Sequence, residues 1–296
     1  MIINRQNLAF LNTGFKATFQ GAFDTAPSVW NQIAMEVPST GKQEVYGWLG
    51  STTRFREWIG DRQVQNFSAS DWTIKNKKFE NTIGVKREDI EDDAYGLYRP
   101  VFSQLGIDAK THPDELLFDL LKNGFTGLCY DGQYFFDVDH PVIAADGSTA
   151  SISNFGGGAG TAWYLFDISK AVKPIILQKR QDYRFVALNQ DTDDNAFWRD
   201  EYIYGADARL NVGYALWRLA YASKQALDVA SYGAARAAMM SFTGDGGRPL
   251  NVTPNLLVVP PSLEATARQL LNAEIVGNNT NIYRNTAQLL VTPWLN

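Results

Sequence analysis

Few residues in this chain have the types and spacing for chemistry. DVDHP, residues 137–141, places His140 beside Asp137 and Asp139. An imidazole with two carboxylates is the donor set that holds zinc or a similar divalent ion. The only other histidine is His112, next to Pro113. One imidazole with local carboxylates falls short of a full ligand set, so the segment reads as a polar loop. FGGGAGT, residues 155–161, has the glycine density of a phosphate-binding loop. It matches neither G-x-G-x-x-G nor a loop ending in Gly-Lys-Ser/Thr, and reads as a flexible linker. Cys129 is the single cysteine and has no convincing histidine partner. No serine lies in a G-x-S-x-G elbow.

The densest titratable group is acidic. In FENTIGVKREDIEDD, residues 79–93, Phe79, Ile83 and Val85 share one face of an expected strand. Lys86 and Arg87 then precede Glu88, Asp89, Glu91, Asp92 and Asp93. Such a cluster can serve catalysis or a metal, and it also gathers where a helix begins. Helical spacing does follow. Ala94, Tyr98, Val101, Phe102 and Leu105 recur at three- and four-residue steps, with Pro100 as a kink or a start. In THPDELLFDLLKNG, residues 111–124, Pro113 suits a first turn and Asp114 and Glu115 suit the dipole. Leu116, Leu117, Leu120 and Leu121 form a stripe, and Gly124 is the expected stop. Joined, the two segments make one helix of about 30 residues, roughly 45 Å long. The acidic cluster is then expected to cap its N-terminal end.

The remaining elements must hold these in place. Phe15, Phe19 and Phe23 fit one face of an amphipathic helix. Residues 41–88 read as extended hairpin material carrying Trp48, Phe55, Trp58 and Trp72. Aromatics on a thin element need a cover, from another layer or from a neighbouring chain. Lys75, Lys77 and Lys78 read as a solvated or salt-bridging surface. Leu210, Val212, Tyr214 and Leu216 alternate as in a strand, with a helix possible over 214–221. A helix is expected over 226–242, and a buried strand over Leu256–Val259. Ser262 is the expected cap of a helix running from about Leu263 to Glu274, and AQLLVTPWLN closes on a strand.

At 296 residues the chain has room for roughly two domains, and 45% hydrophobic with 20% charged residues suits a globular core. A net charge of -5 offers no general hold on nucleic acid. One cysteine excludes an internal disulfide. No apolar run suits a signal peptide or the roughly 20 residues of a membrane span, so a soluble, non-secreted protein is expected.

The order of several segments resembles the Mu-like phage and prophage major head subunit family. It is carried by NLAFLNTGFKATFQGAF, FENTIGVKREDIEDDAYGLYRPVFSQLG, HPDELLFDLLKNGF, KPIILQKRQDYRF, YIYGADARLNVGYALWRLAY and NLLVVPPSLEATARQLLNAE. The resemblance covers nearly the whole chain. It implies an α+β fold, the tailed-phage major capsid fold named for Hong Kong ninety-seven. In that fold residues 1–40 would be an N-terminal arm and 41–88 an extended hairpin loop. Residues 89–125 would be the spine helix of a peripheral domain, and 126–296 the remaining peripheral strands and the axial domain. It also implies a non-enzymatic structural protein in the virion capsid, assembled in the bacterial host cytoplasm as pentamers and hexamers of an icosahedral shell. The partners implied are further copies of the chain, scaffold, portal and decoration proteins, and packaged double-stranded DNA held without sequence-specific binding. No membrane and no cofactor is implied. The arm and loop would make the contacts between subunits, through Phe15, Phe19, Trp48, Phe55, Trp58, Trp72, Lys75, Lys77 and Lys78. The competing readings are an encapsulin-like shell for protein cargo and a metal-dependent hydrolase centred on His140.

Overall fold

The aromatic spacing near the N-terminus does give a helix, Arg5–Thr25, in the computed structural model, which describes residues 2–49, 72–92, 94–276 and 279–296. Asn4 caps it by accepting the Asn7 N–H at 2.8 Å. Leu8, Leu11, Phe15 and Phe19 line its buried face. Phe15 and Phe19 were expected at a contact between subunits, and the structure corrects this: they are only 3% and 1% exposed in the single chain. Phe15 stacks on Phe102 at 4.2 Å and meets Tyr204 edge-on at 5.2 Å. Phe19 meets Phe185 at 5.6 Å. A second helix of the same chain supplies the cover, because Gly106 lets it approach closely. A Cβ on Gly106 would lie 2.4 Å from the Phe19 carbonyl oxygen.

That second helix is Arg99–Lys122, 24 residues, about 36 Å at 1.5 Å per residue. The two expected helical segments do join, and Pro113 lies inside the helix rather than at a start. Pro100 sits in the first turn, where its missing N–H costs nothing. The acidic cluster therefore does not cap the long helix, whose first turn holds no carboxylate. It belongs to a separate short helix, Arg87–Glu91, and a 3₁₀ segment, Ala94–Tyr98, intervenes. Buried Asp114 accepts the N–H groups of Val29 and Trp30 at 3.0 and 2.6 Å and the Ser28 hydroxyl at 3.1 Å. Burial pushes its carboxyl upward against those stabilising bonds. The chain after the N-terminal helix is thereby pinned to the long helix, and residues 34–38 enter a sheet. Most of the expected arm is docked on its own body.

The sheet has four strands, in the order Ala34–Pro38, Ile175–Leu188, Glu201–Tyr214, Lys77–Lys86. The first pair is parallel and the others antiparallel. Lys77–Lys86, expected in the extended loop, instead pairs along its whole length with Glu201–Tyr214, from Leu210↔Lys77 to Glu201↔Lys86. The two fourteen-residue strands cross two cores. One end packs in a cluster with Tyr202, Tyr204, Phe15 and Phe102, and the other in a larger cluster with Leu177, Leu210 and Tyr214.

The larger core is built on a five-stranded sheet ordered Gln288–Val291, Leu256–Val259, Trp163–Phe166, Ala220–Lys224, Phe155–Gly158. Every residue of Trp163–Phe166 and Leu256–Val259 is buried, so both faces are covered. The glycine stretch is no linker. Phe155–Gly158 is an edge strand beside Ala220–Lys224. A Cβ on Gly158 would lie 2.3 Å from the Lys224 backbone, and its φ of 93° is one that glycine tolerates. The helix Val229–Met240 is capped by Asp228, which accepts the Ser231 N–H at 2.8 Å. Ser262 does not cap the last helix. It lies in a 3₁₀ turn, Pro261–Leu263, and the helix runs Glu264–Asn272.

Candidate functional site

The residues weighed and set aside as candidates for chemistry are engaged locally. His140 is not in a solvated loop. It opens the strand His140–Ile143, is fully buried and stacks on Trp217 at 3.9 Å and 11°. Its Nδ1 lies 2.7 Å from an Asp131 carboxylate oxygen and its Nε2 3.2 Å from the Asn154 side-chain oxygen. Asn154 cannot turn its amide round, because its NH₂ donates to the Phe135 carbonyl at 2.8 Å. The Asp137 carboxylate accepts the N–H groups of Tyr134 and Val138, closing its own turn. No group of three or more His, Cys, Asp or Glu suited to a metal occurs among the described residues. Burial pushes the Cys129 thiol well up, away from a nucleophilic thiolate. His112 lines a cleft of about 240 Å³ with Phe79, Glu80 and Tyr183, but its Nδ1 is bonded to the Tyr183 hydroxyl at 2.5 Å. Burial lowers its pKa. Among the described residues no helix is long and apolar enough to cross a membrane.

Glu88, Asp89 and Glu91 of the acidic cluster are likewise occupied locally, and Asp92 is exposed. Glu88 pairs with Lys86 at 3.3 Å, Glu91 with Arg87 at 3.1 Å, and Asp89 accepts the Tyr98 hydroxyl at 2.5 Å. Such exposed pairs each contribute at most about 1 kcal/mol. Asp93 lies outside the described residues.

What remains is surface, and two places stand out. The first is the root of the expected hairpin, where Gln43–Val45 pairs with Thr73–Lys75. Buried Gln178 holds it. Its amide donates to the Ile74 carbonyl at 3.1 Å, and its oxygen accepts the Tyr46 hydroxyl at 2.8 Å. Trp72 is half-buried here, its indole N–H donating to the Tyr214 carbonyl at 3.0 Å. Trp72 therefore anchors the root to its own chain. Trp48 stays 39% exposed, and Lys75, Lys77 and Lys78 are exposed. Phe55 and Trp58 lie outside the described residues.

The second place is the opposite end of the four-stranded sheet. Between its two long strands the chain makes a short helix, Asp194–Arg199. Phe197 and Trp198 on it are 76% and 77% exposed, with their rings edge to face at 5.0 Å. The base of this tip is firm. The Asn189 amide donates to the Leu8 carbonyl at 3.2 Å, the Arg87 N–H to the Asp200 carbonyl at 3.0 Å, and the Tyr202 hydroxyl to Asp191. Burying two such rings is worth roughly 1.5–3 kcal/mol each, so their exposure is costly in an isolated chain. Neither ring was among the expected contacts. The available signal was two adjacent large aromatics inside the polar run DTDDNAFWRDE.

Known proteins share this architecture. The model of the family described as Mu-like prophage major head subunit gpT matches residues 8–295. The chain is 42% identical to the major capsid protein of Escherichia phage Mu over 305 residues, covering 100% of both. A chain of the bacteriophage JBD30 procapsid superposes with a TM-score of 0.88 at 42% identity, covering 99% of this chain and 100% of that one. A chain of the JBD30 capsid gives a TM-score of 0.78 at 34% identity, covering 100% of each.

Proposed function

This chain belongs to the Mu-like prophage major head subunit family and has the tailed-phage capsid fold of a major capsid protein; on that premise we propose that its copies form pentamers and hexamers and close an icosahedral shell around double-stranded DNA. Self-assembly into a virion shell is the coarse function. Assembly in the host cytoplasm, and docking with scaffold, portal and decoration proteins, complete the reading. The observation that carries it is full-length similarity to a chain of an assembled procapsid, in sequence and in backbone together. The surfaces support it as well. His140, weighed as a metal ligand, is buried against Asp131 and Trp217, while large aromatics stand exposed at the tip.

The hairpin root, with Trp48, Lys75, Lys77 and Lys78, is one surface through which a copy touches its neighbour. Phe55 and Trp58 are assigned to the same contact on sequence alone. Many interfaces of modest strength, each reversible, sum to a stable shell while allowing misplaced copies to leave.

Negative-stain electron microscopy with light scattering on the purified chain, over a range of concentration and salt, tests this reading. Closed shells, rings or sheets of capsomers are expected. A chain that stays monomeric throughout overturns unaided assembly and makes a scaffold obligatory.

A further inference from the structure

The two ends of the four-stranded sheet differ in charge as well as in exposure. Residues 86–92 and 188–201, at the tip, carry nine carboxylates and three basic side chains. Residues 42–45 and 72–79, at the root, carry four lysines and one carboxylate, Glu44. Lys77 and Lys86 bound one strand, so the ends lie roughly 30 Å apart at about 3.3 Å per residue. Among the described residues, Lys179 pairs with Glu36 and Asp182 near the root, and Lys75, Lys77 and Lys78 are exposed. Both ends also expose apolar surface: Phe197 and Trp198 at the tip, Val45 and Trp48 at the root.

We propose that the tip of one copy docks on the hairpin root of another. Phe197 and Trp198 would pack against Val45 and Trp48, and the tip carboxylates would face Lys75, Lys77 and Lys78. The occupant is a second copy of this chain, which rests on the reading of the protein as a self-assembling subunit. Charge selects the pairing. Tip against tip juxtaposes carboxylates and root against root juxtaposes lysines, whereas tip against root matches opposite signs. Two different patches in contact make a heterologous, head-to-tail interface, the type that closes into rings. Aromatic anchors inside a charged rim are the usual make-up of such interfaces.

Paired charge reversals in the full-length chain test it. Asp92→Lys/Asp194→Lys reverses the tip, and Lys77→Glu/Lys78→Glu reverses the root. All four positions are exposed, so circular dichroism melts should match the parent. Sedimentation should show each reversed chain associating at least about tenfold more weakly than the parent. Phe197→Ser/Trp198→Ser should lose about a hundredfold. The decisive sample is a mixture of tip-reversed and root-reversed chains. Each tip then meets a root of opposite sign on the other species, and the mixture should associate to within about threefold of the parent. A mixture that associates no better than its components overturns the tip-to-root contact. So does a Phe197→Ser/Trp198→Ser chain that associates like the parent. Association of the mixture while the parent closes no shells keeps the contact and removes unaided assembly, so the two ideas fail separately.

Discussion

Gly106→Ala offers a sharp test of how the N-terminal helix sits. The added methyl would lie 2.4 Å from the Phe19 carbonyl oxygen and 3.0 Å from both the Ala22 Cβ and the Phe23 nitrogen. Two of those three atoms are backbone, so no rotamer change relieves the clash. The helices must separate by about 1 Å to restore ordinary contact, and overpacking of this kind costs about 1–3 kcal/mol. Against it stands the helix propensity of alanine, which favours the substitution by about 1 kcal/mol. A backbone clash puts the cost at the upper end, for a net loss of about 2 kcal/mol. With an unfolding entropy near 2.1 cal/mol/K per residue, that lowers the melting temperature of a 296-residue chain by about 3 °C. Gly14→Ala and Gly21→Ala are matched controls, because nothing lies within 4 Å of a Cβ at either position. Each should gain about 1 kcal/mol, or 1–2 °C. Circular dichroism melts of the unassembled chain at one scan rate read all three. If Gly106→Ala raises the melting temperature as the controls do, the first helix is not seated on the long one and the docked description is wrong.

Other substitutions probe the remaining claims. Gly158→Ala should destabilise the chain by about 2–4 kcal/mol, from the contact with Lys224 and the left-handed backbone together. Gly157→Ala, with φ of 70° but open space around its Cβ, should cost about 1 kcal/mol. His140→Phe keeps a ring on Trp217 but strips Asp131 and Asn154 of their shared partner, and should cost about 2–4 kcal/mol in melts. Elemental analysis of the same preparation should find no stoichiometric metal, and a chelator should leave the melting temperature unchanged. His112 resists protonation in the folded chain, whereas an unfolded ring takes its proton near pH 6.5. Its contribution is therefore full above pH 6.5 and is lost as the pH falls through the lower folded value. His112→Gln should show a smaller drop in melting temperature between pH 7 and pH 5 than the parent.

Much of the fold was legible because periodicity is a local property. Phe15, Phe19 and Phe23 announced a helix, the leucines of 116–121 another, and Leu256–Val259 a buried strand. What periodicity cannot say is which surface covers an apolar face. Phe15 and Phe19 read equally well as contacts with a neighbour, and Gly106, which brings their cover close, carries no periodic signal. The start of the long helix was misplaced because carboxylates favour the first turn of any helix, including the short Arg87–Glu91. A glycine run looks flexible until the strand beside it is known, and it is the Lys224 backbone that excludes side chains at Gly158. His140 looked like half of a metal site because its partner Asp131 lies nine residues away and Asn154 fourteen. Family membership was legible from the order of whole segments, with no single motif diagnostic.

The two long strands of the four-stranded sheet have a mechanical meaning. Ala206 belongs to the core near the tip and Ala208 to the larger core, so Asp207 marks the boundary between them. The register of the strand pair slips here, between Asp207 and Arg209 and again between Arg209 and Leu210. Such irregularities bend a strand and raise its twist. The sheet is thus a beam clamped at both ends with a notch at mid-span. The Arg184 guanidinium grips Asp207 through two bonds of 2.6 and 2.9 Å, a strap lying across the notch. Force applied at the tip of a subunit will travel stiffly through each clamped half and concentrate as bending at Asp207–Leu210.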